Sequence, residues 1–231
     1  MLLRRNDLVS TRLIMTGVWD EHIVKVADRM PADRRRLALD VGAHFGAISL
    51  SLRKRFRQVA SFEPNEFSFS ILSANMALNR VDNVTLYSHG LFSSPADLSL
   101  GRPEQQEIPV PVDESGRFNP LCTPNIAAYV FTPDGSGEFL KRAKALDSLL
   151  LEEVDFIKID VQGADGEVLL GGVETLRRCR PVVVFEWEEA LSKNFGVTFQ
   201  SLKQTFYREG YKLELLHQHN DRQSDFIAFP V

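Results

Sequence analysis

Four acidic residues stand at the ends of short apolar runs: Asp40 in LALDV, Glu63 in VASFE, Asp160 in FIKIDV and Glu186 in PVVVFEW. Runs of this kind, separated by helical stretches, read as the parallel strands of an α/β sheet. Ligands of such sheets bind beyond the carboxyl ends of the strands. Four carboxylates on that one rim are poorly explained by core packing. They suit a cationic ligand, or the transfer of a proton.

The turn after Asp40 narrows the choice. Gly42 is expected to let the chain reverse, and Gly46 to let the backbone approach a ligand closely. A nicotinamide site wants Gly-x-Gly-x-x-Gly with a pyrophosphate on the helix N-terminus. Here His44 takes the place of the second glycine and Ala47 that of the third. S-adenosylmethionine (SAM) carries an ammonium and a sulfonium but no phosphate, so an acid at Asp40 suits it. Glu63 follows Asp40 by twenty-three residues, the spacing at which an acid ending the second strand hydrogen-bonds the ribose of an adenosine.

These residues give a set of expectations. Asp40, Gly42, Ala43, His44 and Gly46 take the methionine end of SAM. Glu63, with Pro64 and Asn65 beside it, takes the ribose, and His89, Gly90 and Leu91 border the adenine. Asp160 borders both donor and acceptor. Asp160 or Glu186 accepts a proton, and Gln162 orients the acceptor by a hydrogen bond. A magnesium ion on Asp160 and Glu186 is the lesser alternative; no metal ligand is assigned.

The elements that must position this set follow in order. Residues 1–36 precede the first core strand and form a helical segment, with Ile23, Val26, Ala27 and Met30 on one face and Asp20 placed to cap. A helix after the glycine turn shows Phe45, Ile48, Leu52 and Phe56. The next, capped by Asn65, shows Phe67, Ile71, Ala74 and Leu78. Asn83–Tyr87 is a third strand. From Phe92 to Arg142 prolines and glycines break the alternation around β-like pieces at Ile108–Val112 and Ala127–Phe131. This insertion into the SAM-binding unit of residues 37–231 is a candidate acceptor lid. Thr198 caps a helix with Phe199, Leu202 and Phe206 on one face, and Tyr211–Leu216 pairs with Phe226–Val231. The sum is a mostly parallel, doubly covered α/β sheet.

Composition sets the outer bounds. A chain of 231 residues, 44% hydrophobic and 25% charged, has material for one large domain. Its net charge of −4 disfavours a nucleic-acid partner. The basic groups at Arg34–Arg36 and Arg53–Arg57 are expected on solvated faces. Two cysteines, Cys122 and Cys179, make neither a disulfide framework nor a zinc site. With no apolar run suited to a signal peptide or a membrane span, a cytoplasmic location is expected.

Taken together, LDVGAHFG, FEPN with SANMALNRVDNV, LDSL, FIKIDVQGADGEVLLGG and RPVVVFEW resemble the FkbM family of SAM-dependent methyltransferases, over about Leu37 to Trp187. The resemblance implies the class I methyltransferase fold: a Rossmann-like, seven-stranded sheet of order 3-2-1-4-5-7-6 with strand seven antiparallel. It implies O-methylation of a small molecule, sugar or natural product; N-methylation of a peptide or amide is the alternative. The chain departs from the family's pattern at His44, where DVGAN has asparagine, at Gln162, where DVEG has glutamate, and at Gly166, where a large residue is usual. These departures leave a catalytically silent binding module as a further alternative.

Overall fold

The computed structural model describes residues 1–3, 8–17, 19–101, 130–132 and 139–231. Two helices, α1 (Leu8–Thr16) and α2 (Glu21–Arg29), precede the first strand, β1 (Leu37–Val41). Then come α3 (Ala47–Leu52), β2 (Gln58–Phe62), α4 (Glu66–Leu78) and β3 (Val84–Tyr87). Strands β4 (Gly90–Phe92), β5 (Ala96–Gly101), β6 (Val130–Thr132) and β7 (Phe139–Ala145) build a smaller sheet. The main sheet resumes with β8 (Val154–Ile159), α5 (Asp165–Leu170), α6 (Val173–Cys179) and β9 (Val182–Glu188). It ends with α7 (Glu189–Ser192), α8 (Phe199–Arg208), β10 (Tyr211–Gln218) and β11 (Gln223–Pro230).

The seven-stranded sheet runs β10-β11-β9-β8-β1-β2-β3. The pairs among β3, β2, β1, β8 and β9 are parallel, and β11 lies antiparallel to both its neighbours. This is the order the family resemblance implies. The chain winds outward from β1 to β3, then returns to lay β8 on the other side of β1. The order therefore reverses between β1 and β8, where such sheets open a crevice for ligands.

Two-residue alternation divides the sheet's side chains between its faces. Leu39, Val41, Ile157, Ile159, Val183 and Phe185 join Val168, Leu176, Leu202 and Phe206 beneath α5, α6 and α8. Ala38, Val59, Phe156 and Val184 take the other face, under Ile23, Ala27, Leu52 and Phe56. One step further along that second face, at the strands' carboxyl ends, the residues turn polar: Asp40, Ser61, Lys158, Asp160 and Glu186. Register places Asp40 beside Lys158 and Asp225 directly opposite Glu186.

Several local expectations hold. Asn65 Oδ1 accepts from the Ser68 amide at 3.0 Å, and Thr198 caps α8 in a reciprocal pair with Ser201. Others are corrected. Asp20 occupies the N-cap of α2 in a left-handed conformation, φ 46°, with no side-chain cap bond. The buried face of α4 is Ser68, Leu72, Asn75 and Met76, while Phe67 and Leu78 are exposed. Arg34 and Arg36 do not lie on a free solvated face: Arg36 Nη2 is 2.6 Å and Arg34 Nε 3.1 Å from Oδ1 of buried Asp155. In the insertion, the described strands β5, β6 and β7 join β4. Ile108–Val112, most of Ala127–Phe131 and Cys122 lie outside the described residues. No helix among the described residues is long and apolar enough to cross a membrane.

Candidate active site

A cavity of about 360 Å³ lies at the reversal point, at the lower end of the roughly 300–1,000 Å³ typical of small-molecule sites. Val41, Gly42, Ala43 and His44 form one wall; Glu63, Pro64, Asn65, Gly90 and Leu91 another. Asp160, Gln162 and Glu186 line the far side, and Val9, Arg12, Trp19, Asp20 and Ile23 cover it from the N-terminal helices. No described residue of 92–142 lines the cavity, so the lid expectation rests on residues outside the description.

The turn owes its shape to Gly42. Its φ is +78°, and a Cβ there would stand 1.8 Å from the Asp160 carbonyl oxygen. No other residue lets the ends of β1 and β8 come this close. Gly46 serves a different purpose from the one expected. Its missing Cβ would meet Leu72 and Met76 at 2.6 and 2.7 Å, so it seats α4 rather than a ligand, and it is absent from the cavity wall.

Glu63 ties these two walls together. Oε2 accepts from the His44 amide and Oε1 from the Asn65 amide, each at 2.8 Å. Burial pushes its carboxyl up to about 7 despite these two donors. Each oxygen keeps lone-pair capacity toward the cavity, as hydrogen bonds from a diol would need. His44, at φ 51°, is half-buried, with its Nε2 buried and unpartnered. Burial, with Lys158 adding to it, lowers its imidazole to about 3, so the ring is neutral.

Asp40 does not face the cavity. Its carboxylate is fully buried, accepts from Ser49 Oγ at 2.5 Å and lies 3.3 Å from Lys158 Nζ. The physical reason is the alternation: Asp40 points under α3, and the chain has two more residues before it reaches the rim. Lys158, absent from the sequence expectations, is the group Asp40 positions. Its Nζ donates to the carbonyls of Val41 and Gly42 at 3.2 and 2.8 Å and lies 3.9 Å from Asp160. Burial alone would lower its pKa, but Asp40 and Asp160 outweigh that and hold it raised. The expected direct contact between Asp40 and a cationic donor is not formed: the carboxylate is engaged by Lys158 and Ser49 and stays off the cavity wall. His89 also stays off the wall; its Nδ1 lies 3.1 Å from the Gly90 carbonyl, and only Gly90 and Leu91 reach the cavity.

The far side is densely acidic. Gln162, at φ 55°, approaches Asp160 Oδ1 with Nε2 at 3.4 Å. Glu186 accepts from Gln223 Nε2 at 2.7 Å through Oε1, and leaves Oε2 buried without a partner. Burial, then Asp160, Asp165 and Asp225, raise Glu186 well above the carboxylate range. Asp160 is likewise raised by burial. Burial, then Asp160 and Asp225, push Asp20 up to about 6. Asp165, anchored by the amides of Val161 and Gly163, rises to about 8. Such an array takes up protons unless positive charge enters it. Asp20, Lys158, His219, Gln223 and Asp225 were not foreseen. A lysine inside an otherwise apolar strand was a signal for the second; the others depend on pairings distant in sequence.

A family model described as the methyltransferase FkbM domain matches residues 40–213. The chain belongs to the FkbM methyltransferase family. It is 27% identical over 201 residues to "Methyltransferase sdnD" of Sordaria araneosa, across 78% of this chain and 76% of that protein. It is 26% identical over 159 residues to "Methyltransferase 1" of Beauveria bassiana (strain ARSEF 2860), across 64% and 63%. Among solved structures it resembles an FkbM methyltransferase from Methylobacillus flagellatus KT, with TM-score 0.56 and 13% identity. That likeness covers 95% of this chain but 57% of the solved one. The Streptococcus mutans protein SMU.1697c, solved in complex with S-adenosylhomocysteine, gives TM-score 0.51 and 9% identity, covering 91% and 94%. Both likenesses concern the fold, which is that of class I methyltransferases. Family membership makes this chain a methyltransferase domain.

Proposed function

We propose that this domain transfers a methyl group from SAM to the hydroxyl oxygen of a small molecule, sugar or natural product. The observation that carries the reading is the charge imbalance of the cavity. Five carboxylates, those of Glu63, Asp160, Glu186, Asp20 and Asp225, face the cavity against Arg12, His219 on Asp225, and a buried lysine already held by Asp40 and two carbonyls. A donor with two cationic centres and one carboxylate, of net charge +1, fits that set better than a pyrophosphate does. The relatives named as methyltransferases and the FkbM match support the same donor class.

SAM, when bound, supplies a methyl carbon on a positively charged sulfur that leaves readily. The residues then have three tasks. Glu63 accepts hydrogen bonds from the ribose hydroxyls while the amides of His44 and Asn65 fix its carboxylate. Trp19, Ile23 and Val9 line the cavity and would exclude water from it. Glu186 Oε2, buried and unpartnered, takes the proton of the acceptor hydroxyl, and Gln162 donates a hydrogen bond that orients the acceptor beside Asp160. Orientation can supply about 7–11 kcal/mol of barrier lowering, and a general base about 10²–10⁴-fold in rate. The base is therefore the smaller contributor. Burial and the neighbouring carboxylates raise the Glu186 carboxyl, so its ionised form would take a proton more readily than an ordinary carboxylate.

Calorimetric titration with SAM and with NAD tests the donor. Binding of SAM and none of NAD is expected; the reverse would end the reading. A radiolabelled-methyl assay over hydroxyl and amide acceptors then compares the native chain with Glu186→Gln. SAM binding is expected to persist while transfer to hydroxyls falls at least a hundredfold. Transfer confined to amides would make it an N-methyltransferase, and SAM binding without any transfer would make it a silent module.

A further inference from the structure

We propose that His22, His219 and Asp225 form a binding site for a divalent first-row transition metal on the wall of the cavity. The three residues come from distant parts of the chain: α2, the turn after β10, and β11. One ligand atom from each lies within 4.8 Å of the others. Both imidazole Nε2 atoms converge on the same oxygen, Asp225 Oδ2; His219 is 2.9 Å from it and His22 is closer still. Imidazole and carboxylate ligands stand about 2.0–2.2 Å from zinc, so ligand atoms sharing an ion lie roughly 3–3.5 Å apart. The geometry is reached if the nitrogen–oxygen contacts lengthen slightly and the more widely separated ligand atoms draw together.

A second, independent observation asks for a cation here. Glu186 and Asp225 are directly opposite one another on antiparallel strands and are both buried. Like charges in that relation repel. Among the described residues neither carboxylate is paired with a lysine or arginine, and Glu186 Oε2 has no hydrogen-bond partner at all. A β-bulge between Leu215 and His217 shifts the register of β10 against β11 just before the cluster. Bulges of this kind re-aim side chains beside functional sites. Two nitrogens and one carboxylate oxygen suit zinc, iron, cobalt or nickel better than magnesium, which prefers an all-oxygen shell.

The site has two consequences. It joins α2 to the last strand, closing the N-terminal segment over the cavity. Because His219 and Asp225 line the cavity, the ion also stands where it can polarise an acceptor hydroxyl. That second consequence rests on the proposed methyl transfer; metal binding itself does not.

The test uses the whole chain, stripped of metal and titrated with zinc in the absence of SAM and acceptor. One zinc per chain is expected, with affinity reduced at least tenfold in His219→Gln and in His22→Ala. Circular dichroism confirms that each variant is folded, and a separate SAM titration of the same zinc-free samples reads the donor site. Substoichiometric zinc in the native chain would overturn the proposal. Affinity unchanged in the folded double variant His22→Ala, His219→Gln would do so too. If SAM fails to bind while zinc binding follows the histidines, the donor reading falls and the metal site stands.

Discussion

Replacing Lys158 by methionine probes the centre of the cavity's architecture. The change keeps most of the side chain's volume and removes the ammonium from between Asp40, at 3.3 Å, and Asp160, at 3.9 Å. It also strips a donor from the carbonyls of Val41 and Gly42. Losing one partner of a buried pair costs about 3–5 kcal/mol, because the other charge stays behind uncompensated. Against a total stability of about 5–15 kcal/mol, that is a large fraction. With a urea dependence of about 1–3 kcal/mol per molar, the unfolding midpoint should fall by roughly 1–5 M. The double variant Lys158→Met, Asp40→Asn should recover at least half of the loss, since a neutral pair replaces an orphaned charge. A loss under about 1 kcal/mol, or a double variant no better than the sum of the two singles, would refute the pairing on which the argument rests.

Three further outcomes follow from the site. Glu63→Gln should weaken SAM binding about 10- to 100-fold, the worth of charge-assisted hydrogen bonds at about 1.5–3 kcal/mol; unchanged affinity in calorimetry would remove Glu63 from the ribose. The folded-state pKa of Glu63, about 7, lies above its ordinary 4.5. The folded protein thus holds a proton that the unfolded chain releases, and this contribution to stability is lost as pH rises from about 4.5 to 7. Over the same interval SAM should bind more tightly and expel protons, measurable as a binding enthalpy that differs between buffers of different ionisation enthalpy. Gly42→Ala should abolish SAM binding and lower the melting temperature by more than 5 °C, because its Cβ would overlap the Asp160 carbonyl at 1.8 Å; a variant melting within 1 °C of the native chain would contradict the close approach of β1 and β8.

The alternation of strands and helices was legible because the strands are short, strongly apolar and separated by helices with clear caps, as at Asn65 and Thr198; the order of the sheet came from the family resemblance. Strand ends were legible too: Glu63, Asp160 and Glu186 all reach the cavity. Facing was harder. Asp40 and Asp160 each precede a valine near the end of a strand, yet only Asp160 has passed beyond the last residue of its strand and emerged at the rim. The α4 face was misread for a related reason. Leu72 and Met76 pack against the turn at Gly46 with buried Ser68 and Asn75 beside them, so polar residues occupy positions that hydrophobic periodicity leaves to solvent.

What could not be read locally was register. Asp225 sits in a run, QSDFIAF, that by itself describes an edge hairpin with one acid in it. Only the antiparallel insertion of β11 between β9 and β10 sets that acid opposite Glu186, and only the docking of α2 brings His22 to it. The same holds for Gly166, an exception to the family's pattern that the fold explains. A Cβ there would stand 2.6 Å from Val197, the residue before the cap of α8. The small residue lets α5 and the entry to α8 close together, behind the wall that carries Asp160 and Gln162. The departure thus bears on packing, and it gives no ground for reading the site as silent. Gln162 differs, because it lines the cavity and its amide is within reach of Asp160. A glutamate at that position would add a further negative charge to an array that burial already raises; glutamine avoids that charge and offers Asp160 a hydrogen-bond donor instead.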